Sequence, residues 1–433
     1  MAKAGEILSQ AQPATGVRDP LTTLSAHFVF KALERLAIGR LTLRLPDGTS
    51  RVFGTDAKRQ AELDVKDWRF FRRILLDGDI GFAEAYMDGD CDSPDLPKLI
   101  ALLADNQRAL GGMVRPNALH NLALRFLHRR RHNSREGSKR NIHAHYDLGN
   151  SFYGLWLDPT MSYSSALYEG RSDKSLEAAQ AAKYDRILAQ IGARQGDSIL
   201  EIGCGWGGFA EAAARRGMRV TAVTISQEQL DYARERLHRA GLADRVELQF
   251  RDYRDIEGKY DHIVSIEMIE AVGERYWPDY FAALKRHVAP GGSALVQAIV
   301  IADEFFETYR RRPDFIQTYI FPGGMLLSPQ RLGEQCRKAG LKIAELYSFG
   351  LDYAHTLETW LGRFDEVADQ VSGLGFDERF RRMWRYYLAY CAAGFSTGRT
   401  DVLQAHFKHI YPTATTSAGS GAAAGRRERV SQG

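Results

Sequence analysis

Apolar and polar positions follow two rhythms along this chain, and the change between them falls near Asp197. Before it, residues 20–110 mix short runs suited to strands, LTLRLPDG and SRVFG, with amphipathic stretches that end in LPKLIALLADNQRAL. That mixture predicts a small α+β domain. From Asp197 onward short apolar runs take turns with helical patterns: SILEIGCG then GFAEAAARR, RVTAVTI then SQEQLDYARERLHRA, followed by RVELQF, YDHIVSIEM and GSALVQAIVI. The alternation predicts an α/β domain with a parallel sheet and crossover helices. After Phe321 the pattern is helical, notably in TLETWLGRFDEVADQV and DERFRRMWRYYLAYCAAGF, and predicts a cover over the pocket of the sheet. The expected organisation is a disordered N-terminus (1–20), the small domain (21–112), a basic linker (113–141), the large domain (142–412) and an Ala/Gly/Ser/Thr-rich disordered tail (413–433).

Composition narrows the class. A chain of 433 residues with 44% hydrophobic and 26% charged positions has material for two globular domains. No run of about 18 apolar residues occurs, and MAKAGEILSQAQPATG lacks the apolar stretch of a secretory signal, so a cytoplasmic location without a spanning helix is expected. Cys91, Cys204, Cys336 and Cys391 form no CxxC pair or Cys/His cluster, so neither disulfide nor metal is expected. The net charge of +4 conceals one local feature, RFLHRRRHNSREGSKR at 125–140, with seven Arg/Lys and one Glu. Such a run is either a solvated linker or a contact for an anionic membrane surface. No nucleic-acid-binding motif accompanies it, and nucleic acid is not an expected partner.

The strongest motif is Ile199-Leu-Glu-Ile-Gly-Cys-Gly-Trp-Gly-Gly208, a strand running into a glycine turn that opens a helix. Gly203 and Gly205 let a ligand approach the backbone where a Cβ would collide. The spacing Gly203-x-Gly205-x-x-Gly208 also satisfies the dinucleotide pattern, so the glycines alone leave NAD and S-adenosylmethionine open. NAD wants an acidic residue at the end of the second strand, yet RVTAVTI ends in Thr224 and Ile225. Thr224 and Gln229 can instead hold ribose hydroxyls through neutral hydrogen bonds.

The chain resembles the cyclopropane-fatty-acid synthase family, with its mycolic-acid-modifying relatives, from about Ser25 to Pro412. The resemblance rests on His145-Tyr-Asp-Leu-Gly-Asn-Ser-Phe-Tyr153, Asp158-Pro-Thr-Met-Ser-Tyr-Ser164, the Glu201–Gly208 loop, Val223-Thr-Ile-Ser-Gln-Glu-Gln229, Glu270 within EMIEAVG, Tyr319-Ile-Phe-Pro322 and Phe349-Gly-Leu-Asp-Tyr353. It implies a Rossmann-like class I methyltransferase sheet with a helical cover, and a lipid-binding-like character for the small α+β domain at 21–112. S-adenosylmethionine would be the cofactor and an unsaturated phospholipid acyl chain in the membrane the substrate, with the protein peripheral on the inner face and forming a homodimer. By this resemblance Tyr163 and Ser164 touch the methionine part of the cofactor, Glu201, Gly203 and Gly205 belong to its loop, and Thr224 and Gln229 hold the ribose. Asp252, Tyr253 and Arg254 fall at the adenine and Ile266 nearby.

The same resemblance implies a carbocation formed on the acyl chain and a bound bicarbonate as base, with Ser165, Glu270, Gln297, Ile299 and Tyr353 at the matching positions. Two of these depart from the family: Ser165 stands where cyclopropane synthases have Cys, and Gln297 where they have His. Gln hydrogen-bonds but cannot titrate as His does. Glu267 also stands where many relatives have Gly. The first expectation is a cyclopropane product; the alternatives are a methyl- or methylene-branched chain from the same cation, or a non-catalytic lipid- or S-adenosylmethionine-binding protein.

Overall fold

The structure is a computed structural model, and it describes residues 19–56, 58–110, 148–171 and 173–409. The basic run at 125–140 and the expected C-terminal tail lie outside these residues, as do residues 1–18. Ordered structure begins inside the stretch expected to be disordered, because Asp19 caps a helix at Pro20–Leu33. Its carboxylate accepts the Thr22 amide hydrogen at 2.9 Å, and proline at the first turn has no amide to leave unpaired.

That helix lies with Arg69–Asp77, Asp79–Met87 and Leu96–Asp105 around a four-stranded sheet of β1 (Arg40–Arg44), β2 (Ser50–Phe53), β3 (Gln60–Val65) and β4 (Cys91–Asp92), in the order β2-β1-β3-β4. β1 pairs antiparallel with β2 and parallel with β3. Alternation along β1 and β3 turns Leu41, Leu43, Ala61, Leu63 and Val65 inward.

The second sheet contains β5 (Ser198–Ile202), β6 (Arg219–Thr224), β7 (Val246–Phe250), β8 (Tyr260–Ile266), β9 (Val288–Ile301), β10 (Leu341–Ser348) and β11 (Thr400–His409), in the order β10-β11-β9-β8-β5-β6-β7. The five strands from β7 to β9 run parallel, and β11 inserts antiparallel between β9 and β10. The chain moves outward from β5 to β7 and then crosses to β8 on the other flank of β5. That reversal places a crevice at the carboxyl ends of β5 and β8, where ligands bind in open α/β sheets.

β10 and β11 correct the expectation that everything after Phe321 is helical. Val402 to Phe407 of β11 are all buried between two neighbouring strands, so no polar alternation marks them, and β10 is an exposed edge with little apolar signal. The long helix Glu378–Ser396, capped by Asp377 at 2.7 Å from the Phe380 amide, joins the two sheets. Its buried Arg382 donates to the Tyr86 carbonyl at 2.5 Å and the Cys91 carbonyl at 2.7 Å, tying the helix to the smaller sheet. Among the described residues no helix is long and apolar enough to cross a membrane.

Candidate active site

The glycine turn after β5 has the backbone its residue types require. Gly203 has φ +84° and Gly205 φ +52°, the left-handed region that favours glycine. A Cβ on Gly203 would meet the Met268 side chain at 2.8 Å, while one on Gly205 would enter open space in the crevice. At the end of β6 the Thr224 hydroxyl donates to Gln229 Oε1 at 3.1 Å, so the two residues expected at a ribose stand together. Asp252 accepts from the Arg254 amide at 3.0 Å and pairs with its guanidinium at 2.6 Å, a local turn that stations Tyr253 on the crevice wall. Burial pushes the Tyr253 hydroxyl up to about 12, so it stays a neutral donor. Gly203, Gly205, Thr224, Gln229, Asp252, Tyr253, Arg254, Ile266, Tyr163, Ser164 and Glu201 all line one cavity of about 750 Å³. An open glycine cradle, a neutral polar pair and a polar turn along the strand ends fit S-adenosylmethionine. Glu201 is an exception in kind: it is buried, its Oε2 takes no hydrogen bond among the described residues, and burial holds its carboxyl well above the usual range. It lies in the floor beneath the loop.

Three of the five residues expected to hold bicarbonate, Ser165, Gln297 and Tyr353, converge on a side chain of the protein itself. Glu267 Oε1 accepts from Ser164 Oγ at 2.8 Å, the Ser165 amide at 3.0 Å and Gln297 Nε2 at 2.7 Å, and Oε2 accepts from the Tyr353 hydroxyl at 2.6 Å. The backbone of Glu267 has φ +49°. A left-handed non-glycine residue costs on the order of 1–3 kcal/mol and persists only where its surroundings enforce it. Here the four hydrogen bonds enforce it, and the same backbone explains why glycine suits this position. Gln297 is fixed in turn by Gln404, whose Nε2 donates to Gln297 Oε1 at 3.0 Å.

Ser165 and Gln297 are fully buried behind the Glu267 carboxylate and do not reach the cavity surface. The Ser165 hydroxyl turns away to the Ala166 carbonyl, leaving its amide as the contact. Glu270, Ile299 and Tyr353 do line the cavity. The Ile299 amide, expected to reach a bound anion, donates to Glu270 Oε1 at 2.5 Å, and Glu270 Oε2 is buried without a partner among the described residues. Burial, with the Glu267 charge adding to it, raises the Glu270 carboxyl to about 8, so at neutral pH it carries a proton.

One participant escaped the sequence reading. Lys183 is fully buried and donates to Ser164 Oγ at 3.0 Å; desolvation lowers its ammonium to about 8, opposed by Glu267, Asp158 and Glu201. It supplies positive charge behind a carboxylate cluster, linked to Glu267 through one hydroxyl. The helix Leu176–Ile191 carried the signal, because Lys183 shares the buried face of Leu176, Ala179 and Ile187.

Comparison with known proteins shows the family. The family model for mycolic acid cyclopropane synthetase matches residues 133–405. The chain is 41% identical over 398 residues to the tuberculostearic acid methyltransferase UfaA1 of Mycobacterium tuberculosis, covering 89% of this chain and 92% of that one. It is 36% identical over 358 residues to the cyclopropane-fatty-acyl-phospholipid synthase of Escherichia coli, covering 80% and 87%. Among solved structures it is similar to the mycolic acid cyclopropane synthase CmaA1 complexed with SAH and CTAB, with TM-score 0.59 and 30% identity over 62% of this chain and 97% of that one. The chain therefore belongs to the cyclopropane synthase family of S-adenosylmethionine-dependent methyltransferases, which modify lipid acyl chains.

Proposed function

We propose that this protein methylates the double bond of an unsaturated phospholipid acyl chain and releases a methylene-branched chain, with Glu267 as the base in place of bicarbonate. The observation that carries this reading is the Glu267 carboxylate, which occupies the donors of Ser165, Gln297 and Tyr353. S-adenosylmethionine, when bound, supplies a methyl group on a sulfonium. Tyr163, whose hydroxyl pairs with that of Tyr387 at 2.7 Å, and the glycine turn would hold the cofactor in the cavity that Tyr353 and Glu267 also line. The apolar walls around them exclude water, which would otherwise trap a cation on the acyl chain.

Methyl transfer spends the alkene π pair on a new C–C bond, breaks the sulfonium C–S bond, and leaves a cation on the neighbouring chain carbon. A ring forms when the new methyl loses a proton at once. Glu267 Oε1 already accepts three hydrogen bonds, so the proton must go to Oε2, which Tyr353 also holds. We place proton removal at that acceptor after a 1,2-hydride shift to the more stable tertiary cation. Glu267 then takes a proton from the new methyl, and that C–H pair becomes the exocyclic double bond. The relative at 41% identity being named a methyltransferase accords with this product. Ring closure, the first expectation from sequence, is the competing outcome, supported by the similarity to the Escherichia coli synthase.

Wild-type turnover should be unchanged in bicarbonate-depleted buffer, and proton NMR of lipid extracts should show olefinic exomethylene signals. Glu267→Gly should lower kcat by about 10²–10⁴-fold, the usual contribution of a positioned base, and added bicarbonate should restore part of it. Bicarbonate dependence in the wild type, or upfield ring protons as the main product, would sink the reading.

A further inference from the structure

Glu267, Gln297 and Gln404 lie in a row across three neighbouring strands. Gln404 of β11 is the register partner of Gln297 of β9, and the Glu267 amide, just past the end of β8, donates to the Gln297 carbonyl at 2.8 Å. Side chains of directly paired residues stand on one face of a sheet, so the two glutamine side chains meet. Both are buried, Gln297 with no exposure at all, and neither lines the cavity. Val402, Leu403 and Ala405 around Gln404 are apolar, as a strand buried on both faces usually is. Gln404 instead keeps an amide there, and its Oε1 has no partner among the described residues. An unpaired buried carbonyl lowers stability, so the amide calls for a reason.

The reason lies in what Gln297 cannot decide for itself. Its amide has a donor end and an acceptor end of nearly the same shape, and either fits the same space. Only the donor end suits a carboxylate. With Nε2 turned to it, Glu267 Oε1 gains a hydrogen bond at 2.7 Å; with the carbonyl turned to it, two acceptors would meet in a buried place. Ser164 is settled by Lys183, which has donors and no acceptor: Nζ gives to Ser164 Oγ at 3.0 Å, and the single hydroxyl hydrogen is left for Glu267. For Gln297 the same task falls to Gln404, whose Nε2 fills the acceptor end at 3.0 Å.

We propose that Gln404 is a positioning residue of the reaction: by donating to Gln297 Oε1 it fixes the Gln297 amide with Nε2 toward Glu267, and so keeps a donor on the carboxylate that removes the proton. It touches neither cofactor nor substrate and acts through Gln297. The catalytic consequence rests on the function proposed above; the orientation of the amide does not.

A double-mutant cycle in the full-length protein tests this. Gln404→Met keeps the length of the side chain and removes the donor, and should lower kcat by about tenfold, the worth of one buried hydrogen bond, with S-adenosylmethionine affinity by calorimetry unchanged. The same substitution in the Gln297→Met background should lower kcat no further, because the amide it positions is gone. Gln404→His, which keeps an N–H at the same depth, should recover most of the loss; a residue that only fills space would show neither the coupling nor the recovery. Gln404→Ala serves the same cycle if the Met variant does not fold. Wild-type kcat in a folded Gln404→Met variant, or an equal fall with and without Gln297, overturns the proposal. Failure of the proposed function is read separately, from bicarbonate dependence of the wild type. If that dependence is found while Gln404 and Gln297 remain coupled in kcat, Glu267 is not the base and the positioning role of Gln404 stands.

Discussion

Two glutamates three residues apart divide the charge of this site between them. The Glu267 carboxylate accepts from four donors, whereas Glu270 has the Ile299 amide and a bare Oε2. With its carboxyl raised to about 8, Glu270 is a neutral acid at pH 7 and can place a proton near the reacting carbons without a second negative charge beside Glu267. The linkage has a definite sign. The unfolded chain ionises Glu270 near 4.5 and the folded chain does not, so the folded state loses stability as pH rises from about 4.5 to about 8. Glu270→Gln removes that loss. Denaturant unfolding should therefore show the variant gaining on the wild type by on the order of 1 kcal/mol per pH unit across this window, while its kcat falls far more than its cofactor affinity. A constant difference in stability from pH 5 to pH 8 would mean that Glu270 ionises normally.

Elements set how much of this could be read beforehand. The glycine turn, the Thr224–Gln229 pair and the β5–β9 strands announce themselves locally, because a turn needs φ above zero and a parallel strand needs an apolar run. β11 did not, since its neighbours in the sheet are β9 and β10, segments far from it in sequence. Nor did the relation of Glu267 to its donors, which come from the loop before the helix Leu176–Ile191, from β9 and from the helix Gly350–Glu366. The departures at Ser165, Gln297 and Glu267 were visible one by one; that Glu267 accepts hydrogen bonds from the other two is a fact of three dimensions. The aromatic residues of the helix Glu378–Ser396 divide between cavity and core. Tyr386, Tyr387, Tyr390 and Phe395 line the cavity, and Phe395 stacks on Tyr353 at 4.4 Å, whereas Trp384 is buried against Phe152, Trp156 and Phe380. Trp384→Ala should cost about 3–5 kcal/mol of stability in thermal or denaturant unfolding, as large core truncations do. Phe395→Ala, also buried, should cost stability too, and should in addition lower kcat by freeing the Tyr353 ring. Equal effects of the two on stability and turnover would dissolve the distinction.

At the scale of the whole molecule, the substrate's location decides what the rest of the surface must do. Under the function proposed above, an acyl chain leaves a bilayer to reach Glu267; no helix among the described residues is long and apolar enough to cross one, and the contact we propose is with the membrane surface. The sequence offers Arg129, Arg130 and Arg131 within the basic run, outside the described residues, as the charge for that contact. Each cationic side chain near an anionic surface contributes on the order of 1 kcal/mol, so the three together are worth about a hundredfold in partitioning. Sedimentation with vesicles of anionic phospholipid should therefore fall by up to about that factor in the triple alanine variant at low salt. The gap should close near 1 M salt, where the screening length shrinks to about 3 Å. Neutral vesicles should bind wild type and variant equally. The turnover of a short-chain lipid dispersed below its aggregation point should be the same for both, because the arginines act on delivery and Glu267 on chemistry. If the variant sediments with anionic vesicles as the wild type does at every salt concentration, the basic run is a linker and the lipid reaches the cavity by another face.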